Sequence, residues 1–219
     1  MTNNRETVLG SAQYALHEGR LGYRFFKRSF DFIMSAVGIA VCAVPMLIIA
    51  AAIKLDSRGP VIFTQQRVGR DGELFKIYKF RSMKTSAPSE VATKDLVDSD
   101  VHITKIGALL RKCSLDELPQ LFNVLKGEMS FVGPRPLIPG ETAIHKERML
   151  GGVYEVRPGV TGWAQVNGRD DLSDELKVMY DKEYIERRST AFDMQVLLRT
   201  FSVVAKKEGY KEGGEKKAR

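Results

Sequence analysis

The densest chemistry in the chain lies between Arg111 and Pro136, in RKCSLDELPQLFNVLKGEMSFVGPRP. An adjacent acid pair, Asp116 and Glu117, stands there with Arg111 before it and Arg135 after it. A carboxylate at a helix N-terminus sits in positive potential, which favours its ionised form and creates an anion site beside it. Such an aspartate next to a bound phosphate is a candidate phosphoryl-transfer nucleophile. The competing reading is that Asp116 and Glu117 only cap a helix. The cations weigh against it: Arg135 is held between Pro134 and Pro136, and arginine offers a rigid bidentate fork for phosphate oxygens. Lys79 and Arg81, in YKFRSM, add two more cations whose ordinary reading is a solvated strand end. A second acidic pattern, Asp98-Ser99-Asp100, has the D-x-D form of metal-binding loops in nucleotide-sugar enzymes, but three residues recur easily by chance. His17, His102 and His145 are isolated, so a histidine acid/base site is not indicated.

These residues need elements to position them. From Val61 to Phe80, VIFTQ and LFKIYKF flank Gly69-Arg70-Asp71-Gly72, and the Asp-Gly step predicts a β-hairpin. Ile103–Lys112 reads as a short helix. A second is expected from about Asp116 to Lys126, where Leu118, Leu121, Phe122 and Leu125 fall on one face before Gly127. Its start is open: Ser114-x-x-Glu117 forms a capping box, whereas Asp116 as N-cap places Pro119 where it is better tolerated. Helices are also expected at Asp174–Arg187 and Asp193–Lys206. Thr85–Asp100 reads as a polar loop, and the Lys/Glu/Gly-rich end as a disordered basic tail. Trp163 and the Asn167-Gly168 turn read first as packing plus a tight turn, and second as a nucleotide- or membrane-facing surface.

Phe32–Ile53 is an uncharged run of 22 residues, long enough at about 1.5 Å per residue to cross a hydrocarbon core of roughly 30 Å. Basic residues flank both ends, Arg20, Arg24, Lys27 and Arg28 before and Lys54, Arg58, Arg67 and Arg70 after. The positive-inside rule therefore places both ends on the cytoplasmic side. Pro45 removes a helical hydrogen bond in mid-run, so a kink or break is expected there. A re-entrant hairpin satisfies both observations; a tilted single span and a buried core helix are the alternatives. Upstream, Tyr23, Phe25, Phe26 and Phe30 alternate with basic residues in a pattern suited to the headgroup interface. The 219 residues carry a formal charge of +7, which favours an anionic partner, and no motif supports nucleic acid. Two cysteines, Cys42 and Cys113, form neither a disulfide framework nor a zinc motif.

Over roughly four-fifths of its length, from Lys27 to about Thr200, the chain resembles the bacterial sugar transferases, the monotopic polyprenyl-phosphate phosphoglycosyl transferases. The resemblance rests on KRSFD leading an apolar segment with a central proline, FTQQRVGRDGELFKIYKFRSM, LRKCSLDELPQLFNVLKGEMSFVGPRP, RPGVTGWAQVNGR, and a closing YDKEY…S…FD. It implies an α+β, mainly helical fold: a compact cytoplasmic catalytic domain with a β-hairpin, interfacial amphipathic helices and one N-terminal re-entrant membrane helix. The expected organisation is an interfacial extension over 1–29, the re-entrant helix over 30–53, the catalytic domain over 54–205 and the tail over 206–219. The implied reaction moves a sugar-1-phosphate from a UDP-sugar to polyprenyl (undecaprenyl) phosphate at the inner leaflet of the bacterial cytoplasmic membrane. It releases UMP, depends on Mg²⁺ and opens a polysaccharide or glycoconjugate assembly route. By motif match Asp116 takes the nucleophile position and also ligates the metal, Glu117 is its partner, and Lys79, Arg111 and Arg135 are the phosphate-binding cations. Two departures stand out: 26 residues precede Lys27, and the helix break is Val44-Pro45 where some members have Ser-Pro.

Overall fold

The computed structural model describes residues 3–87, 102–168 and 172–206, with side chains described from Leu21 to Val203 inside those ranges. The Asp98-Ser99-Asp100 pattern, most of the Thr85–Asp100 loop and the tail after Lys206 lie outside them.

Helix α1 runs from Asn3 to Asp56 and so merges the expected extension and the expected membrane helix into one element. It continues through Pro45 with every residue on both sides helical, so of the expected kink or break the break does not occur. The cause is tertiary. Proline forfeits one backbone hydrogen bond, but the helix is pinned to the body on both sides of it. Before Pro45, Asp31 accepts from the Phe131 backbone N–H at 3.0 Å, and Gly38 lies against Leu121. After it, Met46, Ile49, Ala50 and Ile53 pack with Phe80 and Leu110. The opposite face is apolar and bare, with Val41 71% and Leu47 70% exposed. The stretch Leu21–Asp56 is long and apolar enough to cross a membrane. An outward apolar surface of this extent marks a contact with lipid or protein.

Strands β1 (Ile62–Val68) and β2 (Leu74–Phe80) pair antiparallel from Ile62↔Phe80 to Val68↔Leu74. The turn closes at the expected residues: Asp71 and Gly72 take positive φ of 57° and 78°, and Gly69 N–H donates to Glu73 O at 2.7 Å. Aspartate and glycine are the residues that tolerate this conformation. Strand periodicity puts Phe75, Ile77 and Lys79 on one face. Ile77 packs there with Val124 and Met129.

Helix α2 spans Lys105–Lys112, two residues shorter at its start than expected, because Thr104 caps it by accepting from Gly107 N–H at 3.0 Å. Helix α3 covers Gln120–Lys126 and ends on Gly127 at φ 87°. Strands β3 (Ser130–Val132) and β4 (Gly159–Thr161) form a short parallel pair. Beyond it, a Cβ on Gly159 would come within 2.2 Å of the Gly133 nitrogen, so the PGVTG segment needs glycine to approach the GPRP loop.

Helix α4 is Thr142–Leu150, α5 the single turn Trp163–Val166, α6 Asp174–Arg187 and α7 Thr190–Lys206. The bounds of α6 are those expected from the sequence, and α7 starts three residues earlier. Trp163, Tyr184, Phe192 and Val196 surround Val132 in the largest core cluster, so Trp163 is a packing residue, 6% exposed. The result is an α+β fold in which a hairpin and a small parallel pair are wrapped by helices.

Candidate phosphoryl-transfer site

Asp116 and Glu117 lie in a 3₁₀ turn, Leu115–Glu117, between α2 and α3. The α-helix starts only at Gln120 because Pro119, which has no N–H to place in the ladder, takes the N-cap position. This revises the expected start at Asp116. The capping-box alternative is not realised either: Ser114 has φ 55° and its side chain makes no capping hydrogen bond. The turn and α3 are continuous through bonds from Leu121 N–H to Leu118 O and from Phe122 N–H to Pro119 O, both 3.1 Å.

Asn123 locks α3 to the free edge of β2. It accepts from Tyr78 N–H at 3.0 Å and donates to Lys76 O and Glu128 at 2.7 Å. At the other end of α3, Arg28 of α1 donates to Val124 O and Leu125 O at 2.7 and 2.8 Å, satisfying carbonyls left over at a helix C-terminus. With β2 and α3 so fixed, Lys79 meets the acid pair. Its Nζ lies 2.7 Å from Glu117 Oε1, and Arg135 reaches the same oxygen at 3.3 Å. The residues predicted separately on the hairpin, the acid turn and the GPRP loop are thus brought together.

Arg81, two residues from Lys79, goes elsewhere: it is buried and donates to Arg58 O and Ser57 O at 2.5 and 2.7 Å, closing the end of α1. Arg111 completes the site from the last turn of α2. Its Nη1 is buried with no hydrogen-bond partner among the described residues. An orphaned guanidinium nitrogen beside a carboxylate is a donor waiting for an anion.

The two acids are held differently. Burial would raise both, but at Glu117 the Lys79 ammonium and the Arg135 guanidinium outweigh it and hold the carboxyl at about 2. At Asp116 burial prevails; Lys79 opposes it, and the Glu117 charge adds to it, so the acid is pushed above the ordinary carboxylate range. Glu117 is therefore a fixed anion paired with two cations, and Asp116 is the desolvated member of the pair, the stronger candidate for chemistry.

Sequence reasoning missed Arg67, which it counted only among the charges flanking the apolar run. Arg67 is largely buried, and burial together with Arg135 brings its guanidinium down to about 10. The legible signal was an arginine inside an otherwise half-buried strand, where a long charged side chain needs a specific destination. Pro45, marked as the membrane-helix break, lies in the exposed part of α1.

Lys79, Arg111 and Arg135 thus act together on the acid pair, and three cations around a desolvated carboxyl suit the handling of a diphosphate. The family model of the bacterial sugar transferases matches residues 22–207. The undecaprenyl-phosphate glucose phosphotransferase of Komagataeibacter xylinus is 44% identical over 187 residues, covering 80% of this chain and 35% of that protein. The UDP-glucose:undecaprenyl-phosphate glucose-1-phosphate transferase of Escherichia coli K12 is 41% identical over 184 residues, 81% of this chain and 39% of that protein. An uncharacterized sugar transferase of Bacillus subtilis, EpsL, is 40% identical over 186 residues, 85% of this chain and 90% of that protein. This chain thus spans little more than a third of the length of the first two relatives and most of the third. On its motif order, its fold and the extent of these matches, the chain belongs to the bacterial sugar transferase family.

Proposed function

We propose that the protein transfers a sugar-1-phosphate from a UDP-sugar to a polyprenyl phosphate in two displacement steps at one pocket. The observation that carries this reading is the split acid pair: a desolvated Asp116 next to Glu117, whose charge is held by Lys79 and Arg135. In the first step a carboxylate oxygen of Asp116 attacks the β-phosphorus of the UDP-sugar. A P–O bond forms, the bond from that phosphorus to the anhydride oxygen breaks, and UMP leaves with the electron pair. In the second step an oxygen of polyprenyl phosphate attacks the same phosphorus and the bond to Asp116 breaks. One anhydride is lost and one is made, so no external energy source is needed. The barrier is the approach of anions, and Lys79, Arg111 and Arg135 lower it by neutralising charge as it develops.

Mg²⁺ fits this donor set. The ion characteristically binds through one or two carboxylates plus substrate phosphates, and among the described residues no cluster of three or more His, Cys, Asp or Glu side chains offers a protein-only cage. Asp116 would hold it together with the diphosphate, where it supplies further charge neutralisation.

The membrane arrangement follows from α1. We assign it as re-entrant, entering and leaving the cytoplasmic leaflet. The basic flanks support this, as do the contacts that residues before and after Pro45 make with the same body. Single cysteines at Arg24 and Lys54 in a Cys-free background should both be shielded from an impermeant thiol reagent outside intact cells; labelling of one alone establishes a span.

The decisive chemical test is isotope exchange. Enzyme, Mg²⁺ and UDP-sugar should exchange labelled UMP into UDP-sugar with no polyprenyl phosphate present, because the first step is then complete and reversible. Direct attack by the lipid phosphate forbids that exchange. A glycosyltransferase would release UDP in place of UMP, so product identity separates the two classes.

A further inference from the structure

We infer that Arg148 with its counterion Asp181, and Arg67, are positioning residues that set Arg135 in the phosphate cradle; this rests on the transfer reaction proposed above. Arg148 of α4 is 2% exposed, and its Nη1 donates to the backbone carbonyl of Arg135 at 2.7 Å. Its Nη2 lies 2.5 Å from Asp181 Oδ2 on α6, a residue 1% exposed. From the opposite side, Arg67 of β1 donates through Nη1 to Pro136 O at 3.1 Å and through Nη2 to Gln65 Oε1 at 2.5 Å. Two consecutive carbonyls of the GPRP loop therefore each accept a hydrogen bond from a guanidinium, one buried (Arg148) and one half-buried (Arg67).

The loop chemistry makes these two bonds the effective handles. Proline fixes φ at 134 and 136 and has no N–H, and the residue before a proline is confined to extended conformations. The directions of the two carbonyls are set by ψ at Arg135 and ψ at Pro136, which the proline rings do not lock and the two carbonyl bonds hold. The side chain of Arg135 then leaves a backbone tied to β1, α4 and, through Asp181, α6, and it arrives at Glu117.

Energetics points the same way. Desolvating an ion pair costs about as much as its attraction returns, so an apolar pair of similar volume would hold α4 against α6 equally well or better. Stability alone does not call for charge at this contact. A guanidinium can bind Asp181 and the Arg135 carbonyl at once, which no apolar side chain can do.

The test is a mutant cycle on kcat/KM for UMP release. Replacing the pair together, Arg148→Met with Asp181→Leu, leaves no buried charge unpaired, so the protein should keep its melting temperature. The swap should lower kcat/KM by roughly ten-fold or more in the presence of Arg135, the size of a lost charge-assisted hydrogen bond. In an Arg135→Ala background it should change the rate by less than about two-fold, because contacts acting through one side chain are not additive. Equal losses in both backgrounds, or a wild-type rate for the swap alone, overturn the inference. If the swap does not fold, Arg67→Met enters the same cycle with the same expectations. A wild-type protein that releases no UMP from any UDP-sugar contradicts the transfer reaction instead. The positioning claim is then decided by running the same cycle on UDP affinity measured by calorimetry.

Discussion

Glu117 and Asp193 are both carboxylates held by a lysine at 2.7 Å, Lys79 in one case and Lys27 in the other. Each has a second donor on the same oxygen: Arg135 at 3.3 Å on Glu117, Tyr23 at 2.9 Å on Asp193. The surroundings differ. Asp193 also accepts from Tyr184 at 2.8 Å through its other oxygen, and Tyr184 is itself buried with its phenol held well above the usual value by burial. That network joins α1 to α6 and α7 and is complete. Around Glu117 stand a second carboxylate, Asp116, and an arginine nitrogen, Arg111 Nη1, without a partner among the described residues. Buried polar groups that satisfy one another hold structure together, and those with capacity left over are equipped to take a ligand. The same residue types thus make an anchor in one place and a candidate reaction site in the other.

This contrast can be broken at five places. Asp116→Asn should show the largest effect, complete loss of UMP exchange and of transfer, with the protein still folded. Its stability should move the other way. Because the folded-state acid lies above its unfolded value, its ionised form opposes folding at neutral pH, so the Asn variant should melt higher there. That gain should shrink as pH falls toward the ordinary aspartate range, where the acid is protonated in both states. Glu117→Gln should give the reverse sign: wild type is the more stable above the ordinary glutamate value, and the difference fades as pH falls toward about 2. Thermal scans in detergent across pH separate the two, and an Asp116→Asn enzyme with near wild-type transfer would falsify the covalent route.

Asp193→Asn leaves Lys27 without its counterion and should cost about 3 kcal/mol of stability, read as a lower denaturation midpoint. A midpoint equal to that of the wild type removes the anchor role. Arg135→Lys keeps a positive charge but loses the fork, and kcat/KM should fall by about 2 kcal/mol of transition-state stabilisation, with little change in melting temperature. Tyr23→Phe deletes one of three donors to Asp193 and should cost only about 1 kcal/mol of stability. A Tyr23→Phe loss equal to that of Asp193→Asn would mean that the tyrosine, and not the ion pair, holds α1 to α7.

What the sequence determined by itself is local. The Gly69–Gly72 turn, the bounds of α6 and the apolar character of Phe32–Ile53 were legible because turn chemistry, periodicity and hydropathy act over a few residues. The acid pair and its cations were legible as a cluster of residue types. Only the tertiary structure decided how they meet. Lys79 and Arg81 are equivalent by composition, yet one pairs with Glu117, 38 positions away, and the other closes α1. Pro45 remains inside a continuous helix because contacts on both sides outweigh one lost hydrogen bond. Arg67 reaches the GPRP loop from a strand 69 positions away and Arg148 from the helix that follows the loop, with no local spacing to announce either. The division has one physical reason: backbone preferences are set by near neighbours, whereas the destination of a long charged side chain is set by which carbonyls and carboxylates chain closure brings within about 3 Å of it.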